Sequence, residues 1–172
     1  QYRNYVKAGF DYLYDKVGMY DCLRGVIRGK RPASSITHEW QEVDDIRDHM
    51  LYFLENHDEQ RIASDFFCGD AMKAIPAAAM SLFFQKNPFM LYSGQEFGER
   101  GMDKEGFSGV DGRTTIFDYW SPVTLAQAYQ HALPKTVNKT GAGRKTDDLT
   151  PEQKYLAATY RQMLRHRVRS EE

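Results

Sequence analysis

The sequence predicts an α/β fold with parallel strands. Short apolar segments alternate with stretches of helical spacing, and one segment is apolar without interruption, as in a strand buried on both faces. Polar, chemically versatile residues also gather just past each segment's C-terminal end, where α/β sheets and barrels bind ligands. Three strand–helix units can be traced along the 172 residues, less than half of an eight-stranded barrel.

The first strand is expected over residues 8–14, aromatic-rich and ending at Asp15. Residues 18–26 follow as a helix, with Met19, Cys22, Leu23 and Val26 at helical spacing. A basic turn over 28–32 stops it, and Thr37 is the expected cap of a short helix through Asp45, with Trp40 and Val43 on its buried side. The second strand, 49–54, runs straight into Glu55-Asn56-His57-Asp58. An Ala- and Met-rich helix over 70–84 carries Pro76, which predicts a kink or a late start. The third strand, 88–92, ends at Ser93-Gly94-Gln95-Glu96. A Gly- and Asp-rich excursion to about residue 120, a short helix over 125–133 and a polar, basic loop over 134–148 come next. The last helix has an explicit start: Thr150 as cap, Pro151 at the first helical position and Gln153 completing a capping box. Leu156, Tyr160, Met163 and Leu164 form its buried stripe, and the Arg-rich stretch 161–169 reads as its solvated face.

Charge balance excludes some classes of partner. Lys plus Arg number 23 against 24 Asp plus Glu, which leaves no footprint for nucleic acid or an anionic membrane. No apolar run reaches the length of a membrane span. Cys22 and Cys68 lack a CxxC pattern and a neighbouring His. They form either one disulfide or two free thiols in a reducing compartment, and free thiols are expected, which favours the cytoplasm. His38, His49, His131 and His166 lack the spacing of a metal site. The chain opens at Gln1 without an initiator Met and is expected to be an excised segment, so the lack of a signal peptide assigns no compartment.

Asn56-His57-Asp58 is the most informative stretch. A carboxylate and an imidazole side by side at a strand end offer an acceptor and a donor to neighbouring sugar hydroxyls. A buried, ionised Asp58 would also stabilise positive charge at an anomeric carbon. The bland alternative is a polar loop in which Asp58 caps the next segment. Glu96 lies beyond another strand end and could be a partner acid for Asp58. Arg113 either clamps substrate or pairs with Asp111. Tyr92, Tyr119 and Trp120 are candidates for stacking on sugar rings, with core packing the alternative for Tyr92 and Trp120.

Phe53-x-x-Asn56-His57-Asp58 resembles the fourth conserved region of the α-amylase superfamily (glycoside hydrolase family 13), at the end of that family's seventh barrel strand. Residues 87–96 resemble its eighth strand, with the Pro, Tyr and Gly-Gln-Glu pattern, and residues 9–15 its sixth. Asp111-Gly112-Arg113-Thr114 and Phe117-Asp118-Tyr119-Trp120 look like the substrate-side loop after strand eight. The resemblance covers nearly the whole chain, least of all the loop around Arg144.

The resemblance implies a partial (β/α)8 barrel over residues 1–172, strand six to helix eight, of a retaining enzyme acting on α-glucans or maltooligosaccharides. Asp58 matches the carboxylate that stabilises the transition state, and His57 the histidine bonding the same sugar. Asn56, Arg113, Trp120 and Glu96 are the further expected substrate-binding residues. The nucleophile and the acid/base lie upstream in the family, so this segment alone is expected to be inactive. No cofactor is visible in it, and a structural calcium belongs to the upstream part. An α-glucan transferase and a non-catalytic carbohydrate-binding or assembly domain are the alternatives. The expected partners are the glucan, the complementary N-terminal part of the barrel and, through open sheet edges, a second copy of the chain.

Overall fold

A computed structural model describes residues 1–101, 109–118, 120–132 and 149–170. Tyr119, Leu133 and the loop 134–148 lie outside the described residues, as does the middle of the Gly- and Asp-rich excursion, 102–108. The chain is mixed α/β around a three-strand parallel sheet: β1 (Leu13–Tyr14), β2 (Met50–Phe53) and β3 (Phe89–Met90), in the order β1-β2-β3. Leu13 pairs with Met50 and Tyr52 with Phe89, so among the described residues β2 has neighbours on both sides while β1 and β3 have one each.

The strands are shorter than expected, and at β1 the reason is local. Tyr2 and Val6, one helical turn apart, both pack against the core, and a helix, α1 (Tyr2–Lys7), forms ahead of the first expected strand. Gly9 then adopts a φ of 96°, open to glycine at little cost, and turns the chain. Phe10 and Tyr12 lie exposed in the connection instead of extending the strand.

Between β1 and β2 run a π-helical turn (Lys16–Tyr20), α2 (Asp21–Ile27), α3 (Ser35–Glu42) and a 3-10 turn (Asp44–His49). Thr37 does not cap α3. The helix begins two residues earlier, where the Ser35 hydroxyl donates to Pro32 O at 2.7 Å. In the second crossover Asp70 Oδ1 accepts from the Met72 amide at 2.9 Å, capping a 3-10 turn (Ala71–Ala74) that leads into α4 (Ile75–Phe83). Pro76 sits in the first turn of α4, where its missing N–H is harmless, and the late start is thereby explained.

α5 (Val123–Ala132) and α6 (Pro151–Arg169) complete the set. The capping box of α6 is formed: Thr150 Oγ1 accepts from the Gln153 amide at 3.2 Å, and Gln153 Oε1 from the Thr150 amide at 2.8 Å. Leu156, Tyr160 and Met163 are buried, and the Tyr160 hydroxyl accepts from Gln95 Nε2 at 2.9 Å. Arg167 departs from the solvated-face expectation. Its guanidinium donates to the carbonyls of Leu82, Gln85 and Asn87, satisfying the free C-terminal end of α4.

The alternation of side chains divides the sheet into two unlike faces. Tyr52 packs among Met19, Leu23, Met80 and Phe84, so both crossovers lay their helices on one face. The other face carries Tyr14, Leu51, Phe53 and Met90. Tyr14 meets Phe53 edge-on at 5.3 Å, and its hydroxyl lies 3.3 Å from Met90 Sδ. Phe53 is covered by a stacked Tyr20, but Tyr14 is exposed and Leu51 and Met90 are half-buried. No helix among the described residues is long and apolar enough to cross a membrane. Cys22 and Cys68 are both free thiols.

Asp15, just past β1, is 1% exposed, and its Oδ2 has no partner among the described residues. Burial pushes its carboxyl above the usual range, against the pull of the Met19 and Gly18 amides, and Glu39 adds to the rise. The folded state therefore holds this proton more tightly than the unfolded chain. The associated stability is complete below the ordinary carboxylate range and is lost as pH rises through the raised value. Urea unfolding followed upward in pH from the ordinary carboxylate range should show stability falling with pH, and Asp15→Asn should flatten the fall. An unchanged slope in the variant would mean that the charge is compensated.

Candidate functional site at the C-terminal end of the sheet

The stretch between β2 and Ile62 is a short loop pinned from both sides. Asn56 is buried, and its Oδ1 accepts from the amides of Asp58 and Glu59, both at 2.9 Å. This local side-chain-to-backbone turn bends the chain as it leaves the strand. His57 and Asp58 emerge as a result, with side chains 43% and 74% exposed and His57 Nε2 3.4 Å from Asp58 Oδ2. Two expectations change here. Asp58 is not buried, because Asn56 occupies the inward position, and the capping role falls to Asn56.

On the β1 side the loop is held by Glu59 and Gln60. Glu59 Oε2 accepts from the Tyr20 hydroxyl at 3.1 Å and from Arg24 Nη1 at 3.4 Å, and Lys16 Nζ lies 3.3 Å from Oε1. Arg24 Nη2 also donates to Gln60 Oε1 at 2.8 Å.

On the β3 side it is held by Arg61, which is buried to 1% exposure. Its Nη1 donates to Glu55 Oε2 at 2.8 Å, its Nε to Thr114 Oγ1 at 3.1 Å and its Nη2 to Ser93 O at 3.0 Å. The guanidinium lies 4.3 Å over the Tyr92 ring. Glu55, equally buried, uses its other oxygen to accept from the Ile62 amide at 2.7 Å. Burial pushes the Glu55 carboxyl up, while Arg61 and the Ile62 amide pull it down. With every guanidinium nitrogen bonded and both carboxylate oxygens occupied, the charged pair is the form this geometry satisfies.

The loop after β3 joins the same frame. The Arg61 amide donates to Gly112 O at 2.7 Å and the Tyr92 hydroxyl to Thr114 O at 2.6 Å. Gly112 has a φ of 75°, and a Cβ there would fall 2.6 Å from the Ser64 Cβ, so the close approach requires glycine. Burial pushes the Tyr92 phenol up, against the pull of the Arg61 guanidinium above its ring. Tyr92 is thus structural.

The remaining candidates divide. Arg113 pairs with Asp111, Nη1 to Oδ2 at 3.0 Å, and its amide donates to Asp111 Oδ1 at 3.0 Å, so this head is engaged within its own loop. Trp120 is 60% exposed. Glu96 does not join the others. Its Oε2 accepts from the Gly94 amide at 3.1 Å, and its side chain lines a groove against α6 that none of Asn56, His57 or Asp58 lines. Glu99, not a candidate from sequence, is buried and caps α5 by accepting from the Thr124 and Leu125 amides at 2.9 and 3.3 Å. Among the described residues no group of three or more His, Cys, Asp or Glu side chains is arranged to hold a metal ion.

Glu55 and Arg61 were not singled out from the sequence. The available signal was a pair of opposite charges flanking Asn56-His57-Asp58, one directly following an apolar strand. A scan against protein-family models and searches of curated proteins and of solved structures return no match.

Removing one member of a buried ion pair strands the other. Arg61→Met should therefore cost about 3–5 kcal/mol in urea unfolding, whereas Asp58→Asn, at an exposed position, should stay within about 0.5 kcal/mol of the parent. Equal losses in both variants would contradict this division between frame and emergent side chains.

Proposed function

We propose that this chain is the C-terminal part of the (β/α)8 catalytic barrel of an α-amylase-type glycoside hydrolase, and that the intact protein hydrolyses α-1,4-linked glucans with retention. The observation that carries the reading is the position of Asn56-His57-Asp58: immediately past the middle strand of a parallel sheet, on a loop fixed by buried charges, with His57 and Asp58 turned outward. Barrel enzymes build their active sites at that end of the strands. Two further features support it. The strands follow one another in sequence order with their helices on one face, as in a singly wound barrel, and the other face is apolar yet half-covered. In a barrel that second face is the packed interior.

In this reading Asp58 accepts hydrogen bonds from hydroxyls of the sugar being cleaved, and its charge favours the oxocarbenium-like transition state. His57 donates to the same sugar, and Asn56 holds both in place by fixing the turn. Trp120 offers a stacking face. Arg113 contributes through its loop rather than as a free clamp, and Glu96 as a supporting residue. The nucleophile and proton donor come from the complementary part of the barrel, which also buries Asp58 and covers the open edges of β1 and β3. In its absence those edges pair with a second copy of the chain.

The chain alone should not hydrolyse soluble starch or a chromogenic maltoside. Turnover abolished by Glu96→Gln would replace this reading with a two-carboxylate site. In the intact enzyme Asp58→Asn should lower kcat on the order of a thousandfold with little change in KM, because the charge acts mainly in the transition state. A near-normal kcat would remove Asp58 from the chemistry.

A further inference from the structure

The loop after β2 is gripped a second time, from a helix of the first crossover. Arg24 on α2 keeps only 17% of its side chain in water. Its Nη1 donates to the Tyr20 hydroxyl at 3.1 Å and to Glu59 Oε2 at 3.4 Å. Its Nη2 donates to Gln60 Oε1 at 2.8 Å and to Phe66 O at 3.3 Å, and the guanidinium lies 4.7 Å over the Phe67 ring. A planar fork can hold two adjacent side chains and a more distant carbonyl together, which an ammonium at the same place could not.

The charges of the loop are sorted by the same contacts. Its carboxylates are Glu55, Asp58, Glu59 and Asp65. Glu55 pairs with Arg61, Glu59 with Arg24 and Lys16, and Asp65 with Arg100. Among the described residues Asp58 faces His57, and no Lys or Arg comes within ion-pair distance of it. A like charge on the next residue would compete with Asp58 for any cationic neighbour. With Glu59 neutralised from α2, Asp58 is the loop's uncommitted carboxylate, 74% exposed.

We infer that Arg24 is a positioning residue for Asp58. It acts through Glu59, whose amide closes the turn on Asn56 Oδ1 beside that of Asp58. Fixing the Glu59 side chain therefore fixes the turn from which Asp58 projects. Arg61 holds the loop toward β3, and Arg24 holds its outward half toward α2. The inference rests on the sugar-binding role proposed for Asp58, where a small misplacement of a charged group is costly in rate.

The test is Arg24→Gln, with folding checked by circular dichroism. In the full chain the Asp58 and Glu59 amides should exchange about tenfold or more faster, while Ile62, held by Glu55, and Tyr52 and Phe53 of β2 keep their rates. Gln60→Ala, which removes one acceptor of Arg24, should move the same two amides by less, and decides the matter if Arg24→Gln does not fold. In the intact enzyme Arg24→Gln should lower kcat about tenfold and leave KM within about twofold. Unchanged exchange at Asp58 and Glu59, equal acceleration at Tyr52 and Phe53, or a loss confined to KM would each overturn the inference. A near-normal kcat in Asp58→Asn would instead remove the sugar role, and the exchange result separates that failure from this one.

Discussion

The Arg61 guanidinium ties together the parts of this molecule that could do chemistry. It bonds Glu55 at the end of β2, the Ser93 carbonyl beyond β3 and Thr114 in the following loop, and it covers the Tyr92 ring. A buried ion pair gains little net stability over an apolar pair of the same shape, and breaking it is expensive. Its value here lies in geometry. Because Glu55 and Arg61 are close in sequence and locked together in space, the residues between them must form a closed loop, and Asn56 determines which of those side chains faces out.

This arrangement separates holding from presenting. Glu55, Asn56, Glu59 and Arg61 point into the protein or toward neighbouring segments, while His57 and Asp58 project from the middle of the loop. Pre-organisation of that kind lets an electrostatic group act without rearranging at the moment of reaction. The scaffold beneath is short: two strands of two residues flank one of four, and much of the packing comes from helices gathered on a single face. Among the described residues the second face is half-covered and β1 and β3 each pair on one side only, and the barrel proposal rests on these two features.

Much of this was legible in the sequence. The uninterrupted apolar run gave β2 its place, and the Thr150–Gln153 pair marked the start of α6, because both signals are local. Pro76 announced the late start of α4 for the same reason. The failures came where tertiary contacts decide. The aromatics at 10 and 12 looked like strand, but the packing of Tyr2 and Val6 formed a helix just before them and Gly9 turned the chain. At the site, Asn56, His57 and Asp58 were visible as polar residues beyond a strand, whereas which of them is buried depends on a hydrogen bond no pattern records. Arg61 was invisible for a different reason. Arginine is seldom fully buried, and only the convergence of Glu55, Ser93 and Thr114 makes that burial tolerable.

The loop bearing His57 and Asp58, tied by Glu55 and Arg61, should be as firmly closed as the core beneath it. Residue-resolved hydrogen exchange tests this directly through the Ile62 amide, which donates to Glu55 Oε1 inside the ion pair, compared with the amides of β2. If Glu55 and Arg61 fix the loop, Ile62 opens only with the whole domain and exchanges as slowly as Tyr52 and Phe53. Rapid exchange at Ile62 while β2 stays protected would show a loop that opens on its own, and would contradict a pre-organised site.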